Sequence, residues 1–408
     1  MRHVVRRTAF PDFELKSFDL LGGGRLFSLR KTADGVSPAF GAEELQVENI
    51  PSAAQAVYLT SHGNFYMYNS GDLWRSTGAY GNFYRIGTGF TSPPYFAECC
   101  DGDEDFTIIG DGQKALRSDY TLTEGTTCPP IKLGVGCYSR IFGVDSSDSH
   151  VLRWSAAGDV TDWEESAAGA GHVRLDPVGG DIVRLVPLGG DLIAVRSHGI
   201  AKITAGGEGE DFKVEYPGGD FGEVIENAVV CCADKIYFFA KDGLYCFDGN
   251  VKRTDFDGLE GFSEVTCAAA CGNRIFAGGK LDGQYAIACI GTDGGGVSYV
   301  ARRADCICAA GRVFFYDGTA PAELVPSAEE GEWKSGETDF GVHGKKFLHS
   351  IVADGNLTSL TVSNGTYSRT FSDVSGEIKV GMAGERFSFD FLCEGEVKAL
   401  SARYVSRR

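Results

Sequence analysis

Apolar residues in this chain fall in short runs, each followed by a glycine or polar turn and a second apolar run. Helical spacing is almost absent. Val57-Tyr58-Leu59 leads through His62-Gly63-Asn64 to Phe65-Tyr66-Met67-Tyr68, then past Gly71 to Leu73-Trp74-Arg75. Runs of about four to eight apolar residues bounded by turn residues predict strands. The phrase returns at Tyr95-Phe96-Ala97, Arg140-Ile141-Phe142-Gly143-Val144, Val183-Arg184-Leu185-Val186, Ala228-Val229-Val230, Val265-Thr266-Cys267 and Cys306-Ile307-Cys308. A partial copy stands at Leu20-Leu21-Gly22-Gly23-Gly24-Arg25-Leu26-Phe27.

The copies recur roughly every 40 residues, with one longer step across Trp154 and Trp163. Such a period without helices predicts four-stranded blades of a β-propeller. One blade cannot bury both of its faces alone, and a closed ring of blades does so. Residues 1–330 are therefore read as a propeller of about seven blades, with six and eight as alternatives, its last blade completed by an N-terminal strand. Glycines at the inner turns let backbones crowd near the axis. After the charged link Glu329-Glu330-Gly331-Glu332 the rhythm changes. Alternating strands at 357–362, 367–371, 377–380, 386–391 and 397–405, with an Asn364-Gly365 hairpin turn, predict a small antiparallel β-sandwich over residues 331–408. The fold class is all-β.

Composition supports a large core: 43% of the 408 residues are hydrophobic. No apolar run approaches the ~20 residues of a membrane-spanning helix, so no membrane partner is expected. The charged start Met1-Arg2-His3-Val4-Val5-Arg6-Arg7 has no apolar stretch behind it and is not read as a secretory signal. Net charge is −18, which is unfavourable for binding nucleic-acid phosphates. Basic residues gather at the ends (Arg2, Arg6, Arg7, Arg403, Arg407, Arg408), either as solvated tails or as a docking feature for an acidic neighbour. The 13 cysteines include the vicinal pairs Cys99-Cys100 and Cys231-Cys232 but no zinc spacing. Most lie in apolar strands, where Cys acts as a small hydrophobe. Reduced thiols are expected, as from assembly in a cytoplasm.

Candidate chemistry is sparse. Asp101-x-Asp103-x-Asp105 resembles the start of a Ca²⁺ loop, but Phe106 and Gly112 stand where that loop needs glycine and glutamate. A solvated acidic turn is the plainer reading. The histidines at 3, 62, 150, 172, 198, 343 and 349 form no cluster, and no nucleophile elbow or phosphate loop is present. Trp154 and Trp163 read as packing anchors, with sugar stacking as the alternative. No catalytic, metal or cofactor residue is expected, and the protein is read as not an enzyme.

One phrase carries a family likeness. Arg140-Ile141-Phe142-Gly143-Val144 followed by Leu152-Arg153-Trp154-Ser155-Ala156-Ala157-Gly158-Asp159-Val160-Thr161-Asp162-Trp163 resembles the β-propeller virion proteins of tailed bacteriophages. Gly180 to Ile193, Ser197 to Ile203, and Trp333-Lys334-Ser335-Gly336 with Asp339-Phe340-Gly341 and Lys345-Lys346 continue the likeness. The resemblance implies a structural virion component of neck or tail, nozzle- or hub-like, assembled in the host cytoplasm. Its implied partners are other virion proteins (portal, adaptor or tail proteins) and further copies of itself in a ring, often sixfold. DNA would pass without sequence-specific binding, and an acidic lumen would help it slide. The alternatives are a carbohydrate- or receptor-binding propeller at the tail tip, and a propeller glycosidase with two carboxylates in one cleft.

Overall fold

Antiparallel meanders of short strands account for most of the chain. The computed structural model describes residues 14–18, 24–31, 35–45, 53–76, 82–101, 104–113, 115–118, 122–124, 128–166, 169–205, 212–294, 296–326 and 329–406. Two compact units emerge: residues 42–294 with 301–324, and residues 1–41 with 295–300 and 325–408.

The first unit is a β-propeller. Among its described residues, five blades are each four consecutive antiparallel strands, spanning residues 56–87, 95–124, 131–174, 182–215 and 224–253. They are blades 1 to 5 below. A sixth sheet is an antiparallel three-strand meander over residues 262–291. The closing sheet takes Cys306–Ala309, Val313–Tyr316 and Pro321–Val325, and its fourth strand is Gly41–Glu44. Seven uniform blades of consecutive strands are thus corrected to five, with two ring positions built differently. The reason is connectivity: residues 295–300 cluster with the other unit. The predicted completion of the last blade by an N-terminal strand is observed.

From blade 2 onward each sheet's first strand lies beside the first strand of the next, and Cys306–Ala309 returns to Ala56–Leu59; Tyr58 and Glu98 join the first strands of blades 1 and 2. These first strands therefore line the axis, and apolar side chains fill the gaps between blades. Phe142, Val144 and Leu152 of blade 3 pack on Leu185, Leu192 and Ala194 of blade 4. Glycine makes the closest approach possible: a Cβ on Gly136 of blade 3 would lie 2.4 Å from the Glu98 carbonyl of blade 2.

The second unit has its own core. Trp333, fully buried, stacks on Phe391 with ring centres 5.3 Å apart, and Phe340 lies 4.6 Å from Tyr404. Its sheet runs in the order Gly296–Val300, Gly24–Phe27, Gly331–Ser335, Ser388–Cys393, Lys346–Ser363, Val397–Ser406, Val36–Pro38, Leu29–Lys31. The 18-residue strand Lys346–Ser363 is the spine. One half pairs with Val397–Ser406 and the other with Ser388–Cys393, and a bulge at 353–356 lies between the two pairings.

Three expectations change here. The partial repeat at 20–27 is no blade, because Gly24–Phe27 pairs with Gly331–Ser335 in the second unit. The boundary at 330 moves to 325, and the described residues up to Gly41 cluster with the second unit. The strands expected at 367–371 and 377–380 are parts of one strand, Ser368–Gly384. Their separation in sequence reflects positive φ at Asp373 and Gly376, which interrupts the alternation without ending the strand.

Candidate functional site

A polar group joins the inner edges of blades 1 and 2. Tyr58 of blade 1 donates its phenol hydrogen to Glu98 Oε1 of blade 2 at 2.9 Å, and its ring stacks on Phe96 at 4.4 Å. The Ser61 backbone N–H and hydroxyl also donate to Glu98. Glu98 thus accepts from three donors, one on blade 1's inner strand and two on Ser61. Burial, then the charge of Glu98 and the bond to it, hold the Tyr58 phenol well above its ordinary range.

Four successive inner strands carry a bulge near their start, at 131–133, 182–184, 224–229 and 263–267. A bulge re-aims the side chains beside it. The residues left out of the pairing include Lys132, Val183, Glu226 and Glu264, and Arg184 resumes the ladder opposite Val195. Lys132 donates to the Ser149 hydroxyl at 2.6 Å, and Glu264 pairs with Lys280 at 2.7 Å. Arg184 and Glu226 form no hydrogen bond or ion pair among the described residues, and the Arg184 side chain is exposed to solvent.

The residues singled out in the sequence have structural settings. Trp154 packs on Phe212 at 4.8 Å, and Trp163 donates to the Val160 carbonyl at 3.0 Å while packing in the core between blades 2 and 3. Arg140, buried, donates to the carbonyls of Ser155 and Gly169, both at 2.7 Å, and the Ser155 hydroxyl accepts from the Ile141 N–H at 3.0 Å. The blade 3 phrase is therefore a clasp around its long loop. Arg196 plays the corresponding part in blade 4, donating to the Gly180 and Asp176 carbonyls. Arg403 pairs with Glu377 at 3.0 Å. Asp103 lies outside the described residues, as do the side chains of Asp101 and Asp105. Among the described residues, no three His, Cys, Asp or Glu side chains are placed to hold a metal ion.

The described cysteines are thiols, with no disulfide among them. Burial pushes Cys267 up to about 11 and Cys308 further still. An open depression beside blade 5 is lined by Asp220, Phe221, Asp242, Tyr245 and Arg253. There the Asp242 carboxylate already accepts from Tyr245 at 2.7 Å and from the Gly222 N–H at 2.8 Å. Sequence reasoning missed the axial group. Tyr58 sits in an ordinary apolar run, and nothing in that run marks it for a bond to Glu98 of the next blade.

No family model matches the chain, and no curated protein sequence matches it. Solved structures are similar in fold. One is a catalytically inactive virginiamycin B lyase from Staphylococcus aureus with quinupristin: 10% identity, TM-score 0.50, 70% of this chain and 99% of that one. Another is the extracellular domain of a putative hybrid two-component system from B. thetaiotaomicron: 10% identity, TM-score 0.50, 83% of this chain and 54% of that one. At this identity the likeness establishes the β-propeller fold and nothing about activity.

Proposed function

We propose that the chain is a non-enzymatic structural component of a tailed-bacteriophage virion, nozzle- or hub-like at the neck or tail. The observation that carries the reading is the clasp of blade 3. The residues of the resembling phrase, Arg140, Ser155, Trp154 and Trp163, spend their polar atoms and rings on the blade's own loop and cores. They converge on no solvent-facing point, as suits a phrase kept for architecture. Trp333 and Phe340 of the second likeness are core residues too.

In this reading, copies assemble with one another and with portal, adaptor or tail proteins around the DNA path. That path is the lumen of the assembly. The test is mass determination and negative-stain imaging of the purified protein, alone and in particles. A ring, or a fixed position at neck or tail, supports the proposal. A lasting monomer absent from any particle overturns it. The depression at Asp220 and Arg253 is where the alternative, a carbohydrate- or receptor-binding propeller, would hold its ligand.

A further inference from the structure

We infer that the depression beside blade 5 binds a neutral sugar, its neighbouring hydroxyls held by Asp220 and Arg253. The inference stands apart from the virion reading, since blade 5 carries the depression in a ring and in a monomer alike. The depression measures about 550 Å³ and opens to solvent, which is the size class of small-molecule sites.

Its walls come from blade 5 and from the segment leading into it. Arg253 lies in the outer strand Val251–Arg253, opposite Tyr245. Its guanidinium lies over the preceding turn: a Cβ on Gly243 would sit 3.3 Å from both Nε and Nη2. The loop ahead of the blade rests on the same strand, because a Cβ on Gly219 would come within 2.8 Å of the Val251 Cβ. Asp242 is fixed by the Tyr245 hydroxyl at 2.7 Å and the Gly222 N–H at 2.8 Å. Phe221 packs on Tyr245 with ring centres 5.6 Å apart, and Phe221 and Val251 supply the apolar part of the lining.

Two lining groups keep their hydrogen-bonding capacity. Arg253 makes no hydrogen bond among the described residues, and its ion pair with Asp255 is long, 3.8 Å, to a carboxylate that is 93% exposed. The exposed Asp220 carboxylate has neither a hydrogen bond nor an ion pair among the described residues. One depression thus presents an unspent donor fork and an unspent acceptor pair.

That combination selects the ligand class. A sugar hydroxyl both accepts and donates, so neighbouring hydroxyls can take from the guanidinium and give to the carboxylate. The C–H face of the ring then meets Val251 and Phe221. An acidic sugar is repelled by Asp220 and Asp242, and a simple cation by Arg253.

The test is saturation-transfer NMR and isothermal titration of the full chain with D-glucose, D-galactose and D-mannose, and with D-glucuronate as the anionic counterpart. At least one hexose binds, and glucuronate binds more weakly. Asp220→Ala and Arg253→Met each weaken hexose binding by about tenfold or more. No binding by any of the three hexoses overturns the inference. So does binding that is unchanged in either variant, or glucuronate binding as tightly as the hexose. Neither side chain makes a hydrogen bond among the described residues, so both variants keep the wild-type unfolding midpoint. Loss of the fold in both would mark the pair as structural and equally overturn the inference. Ring and particle imaging is a separate readout, so a failure here leaves the virion reading standing.

Discussion

The phenol of Tyr58 donates to Glu98 Oε1 at 2.9 Å, and this bond ties the inner strand of blade 1 to that of blade 2. Tyr58→Phe removes one donor and leaves Glu98 with Ser61, so the expected cost is about 1 kcal/mol. Glu98→Ala strands the Tyr58 hydroxyl and the Ser61 N–H together, and costs about 2–3 kcal/mol. Urea unfolding of both variants measures the order. A larger loss for Tyr58→Phe than for Glu98→Ala contradicts the arrangement.

Gly136 reads the closeness of blades 2 and 3. A methyl group there would sit 2.4 Å from the Glu98 carbonyl oxygen, inside any permitted contact. Gly136→Ala is expected to cost about 1–3 kcal/mol by overpacking. Gly189→Ala is the control for a rim turn with open space around it, although its φ of 59° adds a strain of its own.

Arg140 closes the long loop of blade 3 through the Ser155 and Gly169 carbonyls. Arg140→Met keeps the stem and loses both donors, with an expected cost of about 3 kcal/mol. Proteolysis should then begin in residues 156–170, and mass spectrometry of early fragments locates it.

Asp145 supplies the clearest acid dependence. Burial alone would raise its pKa, but hydrogen bonds from Ser147 and Arg153 outweigh it and bring the carboxyl down to about 2. The folded value lies below the unfolded one, so the carboxylate stabilises the protein above pH ~4 and the contribution fades as pH falls toward ~2. After solvent screening it is worth about 1 kcal/mol. Asp145→Asn should lose that amount at neutral pH and show a shallower acid limb in unfolding measured against pH.

Thiol labelling tests the packing of the inner strands. Cys231 is exposed, whereas Cys308 is buried and its pKa lies well above the ordinary thiol range because of that burial. Iodoacetamide at mildly alkaline pH should modify Cys231 first and leave Cys267 and Cys308 unmodified until the protein unfolds. Peptide mapping at successive times reads the order.

Much of the fold was legible because each blade repeats a local pattern. The second strand of blade 5, predicted at Lys235-Ile236-Tyr237-Phe238-Phe239, is Lys235–Ala240, since a continuous apolar run bounded by turns specifies a buried strand by itself. What failed was long-range pairing. Leu26 and Phe27 look like any blade residue, and only the tertiary pairing with Trp333 and Glu332 assigns them to the second unit. The bond between Tyr58 and Glu98 escaped for a related reason: it joins neighbouring blades, and a linear pattern does not encode which side chains meet there.

The closing sheet joins Gly41–Glu44 to a hairpin more than 260 positions later, Leu45 donating to the Pro321 carbonyl at 3.0 Å. On the ribosome, blades 1 to 5 emerge complete while that early strand waits without its mate. The ring shuts only after Pro321–Val325 has been made, as a late and slow step with a large loop to close. A ribosome stalled before residue 321 would release an open, sticky arc of blades. Closure of the ring therefore waits on the synthesis of Pro321–Val325.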